Sequence, residues 1–248
     1  MRATGQRRFG RHTIGGVAFG FACIAWAPPL STPRILPEVT THLQRAHDSL
    51  ASGDTSLAVA HADTVLVGDV LPYSLQYDDM PGNSRRQSTQ ALEQALINWQ
   101  KATGGTVRFI QVSNPDAAKI RFRFCKDVRL KNEAVAGYAN WDRTIVTDIA
   151  GKAQGKFSAV LQIRALSVFD QPMPLAAIRH EVMHEVGHVL GLEDSPVVGC
   201  VMGPLDVSRP VARPANEEVR AVMELRAEAR QVKRFAMAQQ IRQSGSPT

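Results

Sequence analysis

The stretch HEVMHEVGHVLGLEDSPVVGCVMGP, residues 180–204, contains two overlapping copies of the pattern His-Glu-x-x-His, and His184 belongs to both. Two histidines four residues apart lie on one face of an α-helix, so both imidazoles can bind one metal ion while the intervening glutamate stands beside it. The stretch therefore predicts a metal-binding helix, and the residues after it must decide which copy binds the metal.

The residues downstream favour the second copy, residues 184–188. A catalytic zinc site uses three protein ligands and keeps a fourth position open. For the first copy, residues 180–184, the corresponding third position is Leu190, which has no donor atom. For the second copy, Gly191 can end the helix in the left-handed conformation, and the carboxylate of Asp194 follows three residues later. Asp194 is therefore the predicted third ligand.

The second copy and its continuation resemble the metzincin motif, written here as His184-Glu185-x-x-His188-x-x-Gly191-x-x-Asp194. The usual third ligand of that motif is histidine, and snapalysin-like metzincins resemble this chain in carrying aspartate. Eight residues after Asp194, Met202 is followed by Gly203 and Pro204, which is similar to the Met-turn of matrixin-type metzincins.

The resemblance implies a role for each of these residues. His184, His188 and Asp194 would hold one catalytic Zn²⁺, with Met202 as a hydrophobic floor beneath it. Glu185 would be the general base toward water activated by the metal. Calcium sites are common in the family, but the sequence has no Asp-rich loop of the kind that binds calcium.

The resemblance covers about residues 70–225 and implies an α+β fold. This metzincin-like catalytic domain would contain a small twisted mixed sheet, an active-site helix, the Met-turn and a C-terminal helix. It also implies a zinc-dependent endopeptidase whose partners are peptide or protein substrates. The strand near Tyr138 would be the sheet edge that binds an extended peptide, because an edge offers unpaired backbone groups.

The first 27 residues have the layout of an export signal. Arginines at positions 2, 7, 8 and 11 precede an apolar run over residues 14–27, which is too short for an ordinary membrane-spanning helix. We expect a secreted, periplasmic or cell-surface protein. Because Pro28 would make cleavage directly before it awkward, the segment could also remain as an uncleaved anchor, which is the one route to membrane association.

The charge of the chain argues against nucleic-acid binding. The same four arginines account for four of the six net positive charges, so little excess charge remains after the signal. No concentrated basic stripe is left that could follow a phosphate backbone.

Cys125 and Cys200 would remain after signal removal, and they could form a disulfide in an oxidising compartment or stay as thiols.

Three parts are predicted: a signal peptide or anchor over 1–27, a helical hairpin over 28–69, and the zinc peptidase domain over 70–248. The hairpin would consist of helices over 38–51 and 55–67. It could be a partner-binding module, an inhibitory pro-segment, or a unit packed on the catalytic core. The last is favoured because one hairpin cannot bury both of its faces alone.

Within the peptidase domain, periodicity predicts helices and strands in alternation. Helices are expected over 87–102, 175–190 and 216–242, the last capped by Asn216 and followed by a disordered tail. Strands are expected over 106–112, 118–124, 136–141 and 144–149.

Two residues of the first copy have no ligand role in this interpretation. His180 lies on nearly the same helical face as His184, so it could donate a second-shell hydrogen bond or serve as an alternative ligand. It is more often expected to be an ordinary packed residue. Glu181 is expected to be a solvent-exposed helix charge.

A second function also stays open, namely a non-catalytic exported zinc-containing protein that acts through partner binding by the hairpin. Glu185 favours catalysis, because a structural zinc site needs no general base.

Overall fold

The computed structural model describes residues 33–78, 80–167 and 169–244, so the predicted signal lies outside the described residues. The helices are α1 Pro37–Ala51, α2 Thr55–Leu66, α3 Gly82–Ala102, α4 Leu175–Val189 and α5 Asn216–Ser244. The strands are β1 Val70–Tyr77, β2 Arg108–Gln111, β3 Ile120–Cys125, β4 Arg129–Leu130, β5 Glu133–Ala134, β6 Gly137–Thr147 and β7 Ala153–Arg164. Helix α5 extends into the predicted disordered tail, of which residues 245–248 lie outside the described residues.

Five of the strands form one mixed sheet in the order β2-β1-β3-β7-β6. Strand β1 pairs in parallel with β2 and β3, β3 pairs in parallel with β7, and β6 runs antiparallel to β7. Strands β4 and β5 form a separate two-stranded hairpin. The mixed sheet confirms the predicted α+β fold, and β6, which contains Tyr138, forms one edge as expected.

The strand predictions differ from the structure in several places, and the short strands β4 and β5 were not predicted. The two strands expected over 136–141 and 144–149 are one continuous strand, β6. Strand β7 was not predicted, although Phe157, Ala159 and Leu161 alternate with less buried residues along it. Strand β1 was also missed, because it contains Pro72, and proline is uncommon inside a paired strand.

Within the described part of the chain, strand β3 buries one of its two faces. In β3 the side chains of Ile120, Phe122 and Phe124 are buried while Arg121 and Arg123 are exposed, as the alternation predicts. Helices α3 and α4 contribute to the same core. They are also joined by a hydrogen bond from the indole N–H of Trp99 to the carbonyl of Met183, at 3.0 Å.

The helical hairpin α1–α2 packs against α5 and β7. Asp54 caps α2 by accepting a hydrogen bond from the Leu57 N–H at 3.0 Å. Buried residues of α1, α2 and α5 form a second apolar cluster, which includes Val39, Ala58 and Val232. At the sheet, a β-carbon at Gly155 would overlap the carbonyl of Ala60. Of the described helices, none combines the length and apolar character needed to cross a bilayer.

Candidate metal centre

Helix α4 brings the two predicted histidine ligands together. His184 and His188 lie one turn apart, and their rings meet edge to face with centroids 4.9 Å apart. The Nε2 atoms of both rings face the same carboxylate oxygen, Oδ1 of Asp194, at 3.2 Å and 3.3 Å. One donor atom from each of these three residues lies within 4.8 Å of the other two.

Asp194 reaches this position because the chain turns back directly after α4. Gly191 adopts a φ of +103°, which a residue without a β-carbon tolerates. The Leu192 N–H donates to the carbonyl of Gly187 at 2.9 Å, and the Gly191 N–H donates to the carbonyl of His188 at 3.0 Å. This pair of bonds is the Schellman arrangement that ends many helices, and the sequence predicted its glycine.

The other nitrogen of each imidazole is held by the backbone. Nδ1 of His184 lies 2.9 Å from the carbonyl of Val201, and Nδ1 of His188 lies 2.9 Å from the carbonyl of Leu192. Because a carbonyl only accepts, Nδ1 carries a proton in each ring, so it is Nε2 that offers its lone pair to a metal once the ring is neutral. Two neutral imidazoles and one carboxylate are a donor set that suits Zn²⁺, so the residues present fit the metal.

The pKa values of Asp194 and His184 are shifted by burial and by each other. Burial alone would raise the pKa of Asp194, but the hydrogen bonds from His184 and His188 outweigh it and hold the pKa below its ordinary value. Burial likewise disfavours charged His184, yet the hydrogen bond to Asp194 and the nearby carboxylates of Glu185 and Glu181 raise its pKa to about 10. Because zinc ligands must be deprotonated, zinc binding should weaken as the pH falls.

Glu185 is buried beside the ligands, with 3% of its surface exposed, and its Oε2 has no hydrogen-bond partner among the described residues. A buried, unpartnered carboxylate oxygen is costly, which is typical of a residue kept for function. Burial raises the pKa of Glu185 well above its ordinary value, and neighbouring Glu181 adds to the shift. A carboxylate with a raised pKa is suited to take up and release a proton near neutral pH.

The prediction that Glu181 is a solvent-exposed charge was wrong. Its side chain is 7% exposed and lies beside that of Glu185. Both carboxylates lie over Gly137 at the start of β6, where an added β-carbon would overlap Glu181 and approach Oε1 of Glu185 to 2.7 Å. Helical spacing places Glu181 one turn before Glu185 on the same face of α4. This face is buried because the edge of the sheet packs against it, which the sequence did not show.

Met202 lies beneath the helix segment between the two histidines. A β-carbon at Gly187 would overlap its sulfur, so the absence of a side chain at 187 allows this close approach. The N–H of Met202 donates to Oε1 of Glu218 at 2.7 Å, and Oε2 of the same residue accepts from the Ala215 N–H at 2.7 Å. The buried carboxylate of Glu218 thus joins the Met-turn to the first turn of α5.

The predicted cap of α5 was wrong in its position. Asn216 is the first helical residue, and Glu218 bonds back to the backbone of Ala215, as glutamate does in one half of a capping box. The sequence showed Glu218 only as a favourable charge near a helix N-terminus. Its bond to Met202 had no sequence signal, because no fixed spacing links these two residues.

His180 is buried, and its Nδ1 accepts a hydrogen bond from the Val211 N–H at 2.9 Å. This bond ties α4 to the chain that follows the Met-turn. Burial, together with the nearby charge of His184, lowers the pKa of His180 to about 4, so the ring is neutral at physiological pH. A second-shell role for His180 toward the metal stays a prediction.

Trp141 of β6 was not predicted as a site residue. Its ring stacks on His188 with centroids 5.8 Å apart and planes inclined by 30°. The alternating pattern of β6 indicates a strand but carries no signal for this contact.

Cys125 and Cys200 are free thiols in the structure, so the alternative of a disulfide beneath the site is not realised.

The chain was compared with protein-family models, curated proteins and solved structures. The Matrixin family model matches residues 68–226, which takes in β1 to β7, α4 and the Met-turn. A search of curated proteins finds no match. Among solved structures, archaemetzincin from Methanopyrus kandleri is similar with a TM-score of 0.40 and 13% identity, covering 64% of this chain and 96% of that one. Because the family model matches more than half of the chain, this protein belongs to the matrixin family of zinc metalloproteases.

Proposed function

We propose that this protein is an exported endopeptidase in which His184, His188 and Asp194 hold a single catalytic Zn²⁺ and Glu185 is the general base. The observation that carries the proposal is the convergence of two Nε2 atoms and one carboxylate oxygen. Both imidazoles are fixed by backbone carbonyls in the tautomer that a metal requires. Zinc, when bound, supplies a Lewis acid that polarises the scissile carbonyl and makes water nucleophilic near neutral pH.

The protein's own residues would perform the proton transfers. Glu185 takes a proton from the attacking water and passes it to the leaving amine, and its burial keeps that proton from bulk solvent. The edge of β6 beside Glu185 would hold the substrate peptide in an extended conformation through backbone hydrogen bonds. Such binding is independent of side-chain identity along most of the peptide, which suits an endopeptidase.

The same geometry argues against a purely structural zinc site. A structural site normally has four protein ligands, whereas the group found within the described part of the chain has three donors. Glu185 also lies beside that group with an unpartnered oxygen. Both observations favour catalysis over the non-catalytic alternative in which the helical hairpin binds a partner.

The decisive experiment measures zinc content and peptide-library cleavage for the wild type, Glu185→Gln and His184→Ala. We expect one zinc per chain in the wild type and in Glu185→Gln, with cleavage present in the wild type and lost in Glu185→Gln. His184→Ala should lose both zinc and cleavage. Cleavage by Glu185→Gln at the wild-type rate would remove Glu185 as the base, and full zinc in His184→Ala would remove the proposed ligand set.

Export rests on the N-terminal layout of four arginines followed by an apolar run. We expect the protein from an expressing culture to be found outside the cytoplasm. N-terminal sequencing of that protein would show whether the first 27 residues have been removed. Full-length protein confined to the cytoplasm would contradict the export proposal without affecting the peptidase assignment.

A further inference from the structure

The chain that precedes α1 pairs with the turn that leads to Asp194. Residues 34–36 run antiparallel to residues 191–193, so a segment near the beginning of the described chain becomes part of the metal centre's surroundings. Three contacts make the pairing: the bridge between Ile35 and Leu192, the bond from Leu36 N–H to the Gly191 carbonyl at 2.8 Å, and the bond from Glu193 N–H to the Arg34 carbonyl at 2.8 Å.

These bonds fix the backbone on one side of Asp194. The N–H of Glu193, the residue before it, is bonded to the Arg34 carbonyl. On the other side, the N–H of Ser195 donates to the Met202 carbonyl at 2.8 Å. The carboxylate of Asp194 is half-exposed, so packing around that side chain does little to hold it. The two flanking hydrogen bonds therefore fix the backbone from which this carboxylate reaches His184 and His188.

The same segment also reaches His188. The carbonyl of Leu192, which holds Nδ1 of His188, belongs to the turn that residues 34–36 pair with. From the first turn of α1, Oε2 of Glu38 accepts a hydrogen bond from the Trp141 indole N–H at 2.9 Å. The Trp141 ring stacks on His188. Glu38 is thus linked through one tryptophan to a metal-ligand side chain.

Apolar contacts strengthen the attachment. Leu36 and Val39 are buried in the cluster shared by α1, α2 and α5. A β-carbon placed at Gly191 would lie 3.5 Å from Cγ1 of Val39, so α1 packs directly against the glycine that ends α4. The N-terminal segment is therefore anchored in the fold at one end and bonded to the ligand turn at the other.

We propose that residues 34–38 are a positioning element of the metal centre, which orients Asp194 through the 191–193 turn and His188 through Trp141. This inference rests on the proposed ligand set. It follows that the hairpin belongs to the active enzyme and is not a pro-segment lost on activation, because its removal would release the turn that carries the third ligand.

A pair of substitutions at position 36 tests the backbone contact. Leu36→Pro removes the N–H that bonds to Gly191, and the φ of −52° at this residue is one that proline adopts. Leu36→Ala is the matched control, because it also truncates the side chain but keeps the N–H. Zinc affinity is measured for both full-length variants by chelator competition. We expect Leu36→Pro to bind zinc about 10-fold more weakly than Leu36→Ala, as is typical when a second-shell contact is lost.

A second pair tests the side-chain route without disturbing the backbone. Glu38→Gln retains an oxygen that can accept from Trp141, whereas Glu38→Ala does not. We expect Glu38→Ala to lose several-fold in zinc affinity and to alter the absorption spectrum of bound Co²⁺, which reports ligand geometry. Glu38→Gln should resemble the wild type in both measurements. Glu228→Ala, which removes the exposed contact to His47 between α5 and α1, is the control for a general effect on hairpin packing.

Thermal unfolding with and without zinc separates positioning from a merely structural role. A structural role lowers the melting temperature equally in both conditions, whereas a positioning role reduces the increment that zinc adds. If Leu36→Pro and Glu38→Ala bind zinc like their controls while the wild type binds and cleaves normally, the inference is overturned and the proposed function stands. If the wild type and His184→Ala show equal zinc binding, the ligand set itself fails and the inference fails with it.

Discussion

Gly187 and Met202 are in such close contact that position 187, directly before the ligand His188, has no room for a side chain. A β-carbon at position 187 would overlap the sulfur of Met202, approach its Cε to 3.3 Å and lie 3.6 Å from Cζ2 of Trp99. The active-site helix therefore rests directly on the Met-turn, with Trp99 of α3 beside the contact. The position of Met202 therefore sets how closely α4, which carries His184 and His188, approaches the Met-turn.

Gly187→Ala should push α4 away from Met202. We expect the free energy of unfolding to fall by about 1–3 kcal/mol, as overpacking of a core usually costs, and zinc affinity to fall with it. Urea unfolding and chelator competition would measure the two effects. Gly82→Ala is a suitable control, because a β-carbon there would meet nothing within 4 Å.

A double-mutant cycle would show whether the sulfur of Met202 is the cause. Met202→Ala opens space beneath position 187, so the cost of Gly187→Ala should shrink in that background by more than about 0.5 kcal/mol. Equal costs in the two backgrounds would show that the alanine clashes with something else.

Gly137→Ala should impair catalysis more than metal binding. A β-carbon at this position would displace the carboxylates of Glu181 and Glu185, and its three nearest atoms all belong to these two residues. A displacement of this size near reacting atoms lowers kcat/KM by about 100-fold. We expect zinc content to remain at one per chain, measured beside Gly82→Ala. Wild-type activity in Gly137→Ala would show that Glu185 need not stay over this glycine.

Glu218→Ala should destabilise the Met-turn. The substitution leaves the buried N–H groups of Met202 and Ala215 without their acceptor, which costs about 1–3 kcal/mol for each unsatisfied donor. Glu218→Gln keeps one acceptor oxygen and should lose less. The matched control is Glu217→Ala, one residue earlier and partly exposed, for which we expect a change within about 1 kcal/mol. Equal losses at 217 and 218 by urea unfolding would disprove the link to the Met-turn.

Protein stability should fall between pH 6.5 and pH 4 through His61 of the hairpin. Its Nδ1 lies 2.9 Å from Nδ1 of His42. Burial, followed by the charges of His42 and Arg45, lowers the pKa of His61 to about 4 in the folded protein. The unfolded chain, with a pKa near 6.5, therefore binds the proton first as the pH falls, and protonation favours unfolding across this window.

The contribution of His61 is measured against His61→Asn. Between pH 7 and pH 5 we expect the wild type to lose about 1–2 kcal/mol more stability than His61→Asn, because asparagine does not titrate. Urea unfolding at the two pH values gives the comparison. Identical pH dependence in the two proteins would contradict the lowered pKa of His61.

The pattern of neighbouring residues predicted most of the helices correctly but only part of the sheet. The hairpin, α4 and α5 were predicted to within a few residues, because helical periodicity and capping residues act between near neighbours in the chain. Strands β1 and β7 were missed and β6 was divided in two. Both β1 and β7 pair in parallel with β3, which lies far from each of them in the chain. Pro72 even argued against the inner strand that contains it.

Residues 180–204 alone determined the family resemblance and the predicted ligand set, because helical spacing, one glycine turn and the methionine that follows are features of neighbouring residues. Only the tertiary structure decided what encloses them. It placed Gly137 over Glu181 and Glu185, Glu218 against Met202, and residues 34–38 against the ligand turn and Trp141. These contacts join segments far apart in the chain, where no periodicity relates the partners, so they exist only once the sheet and helices have packed.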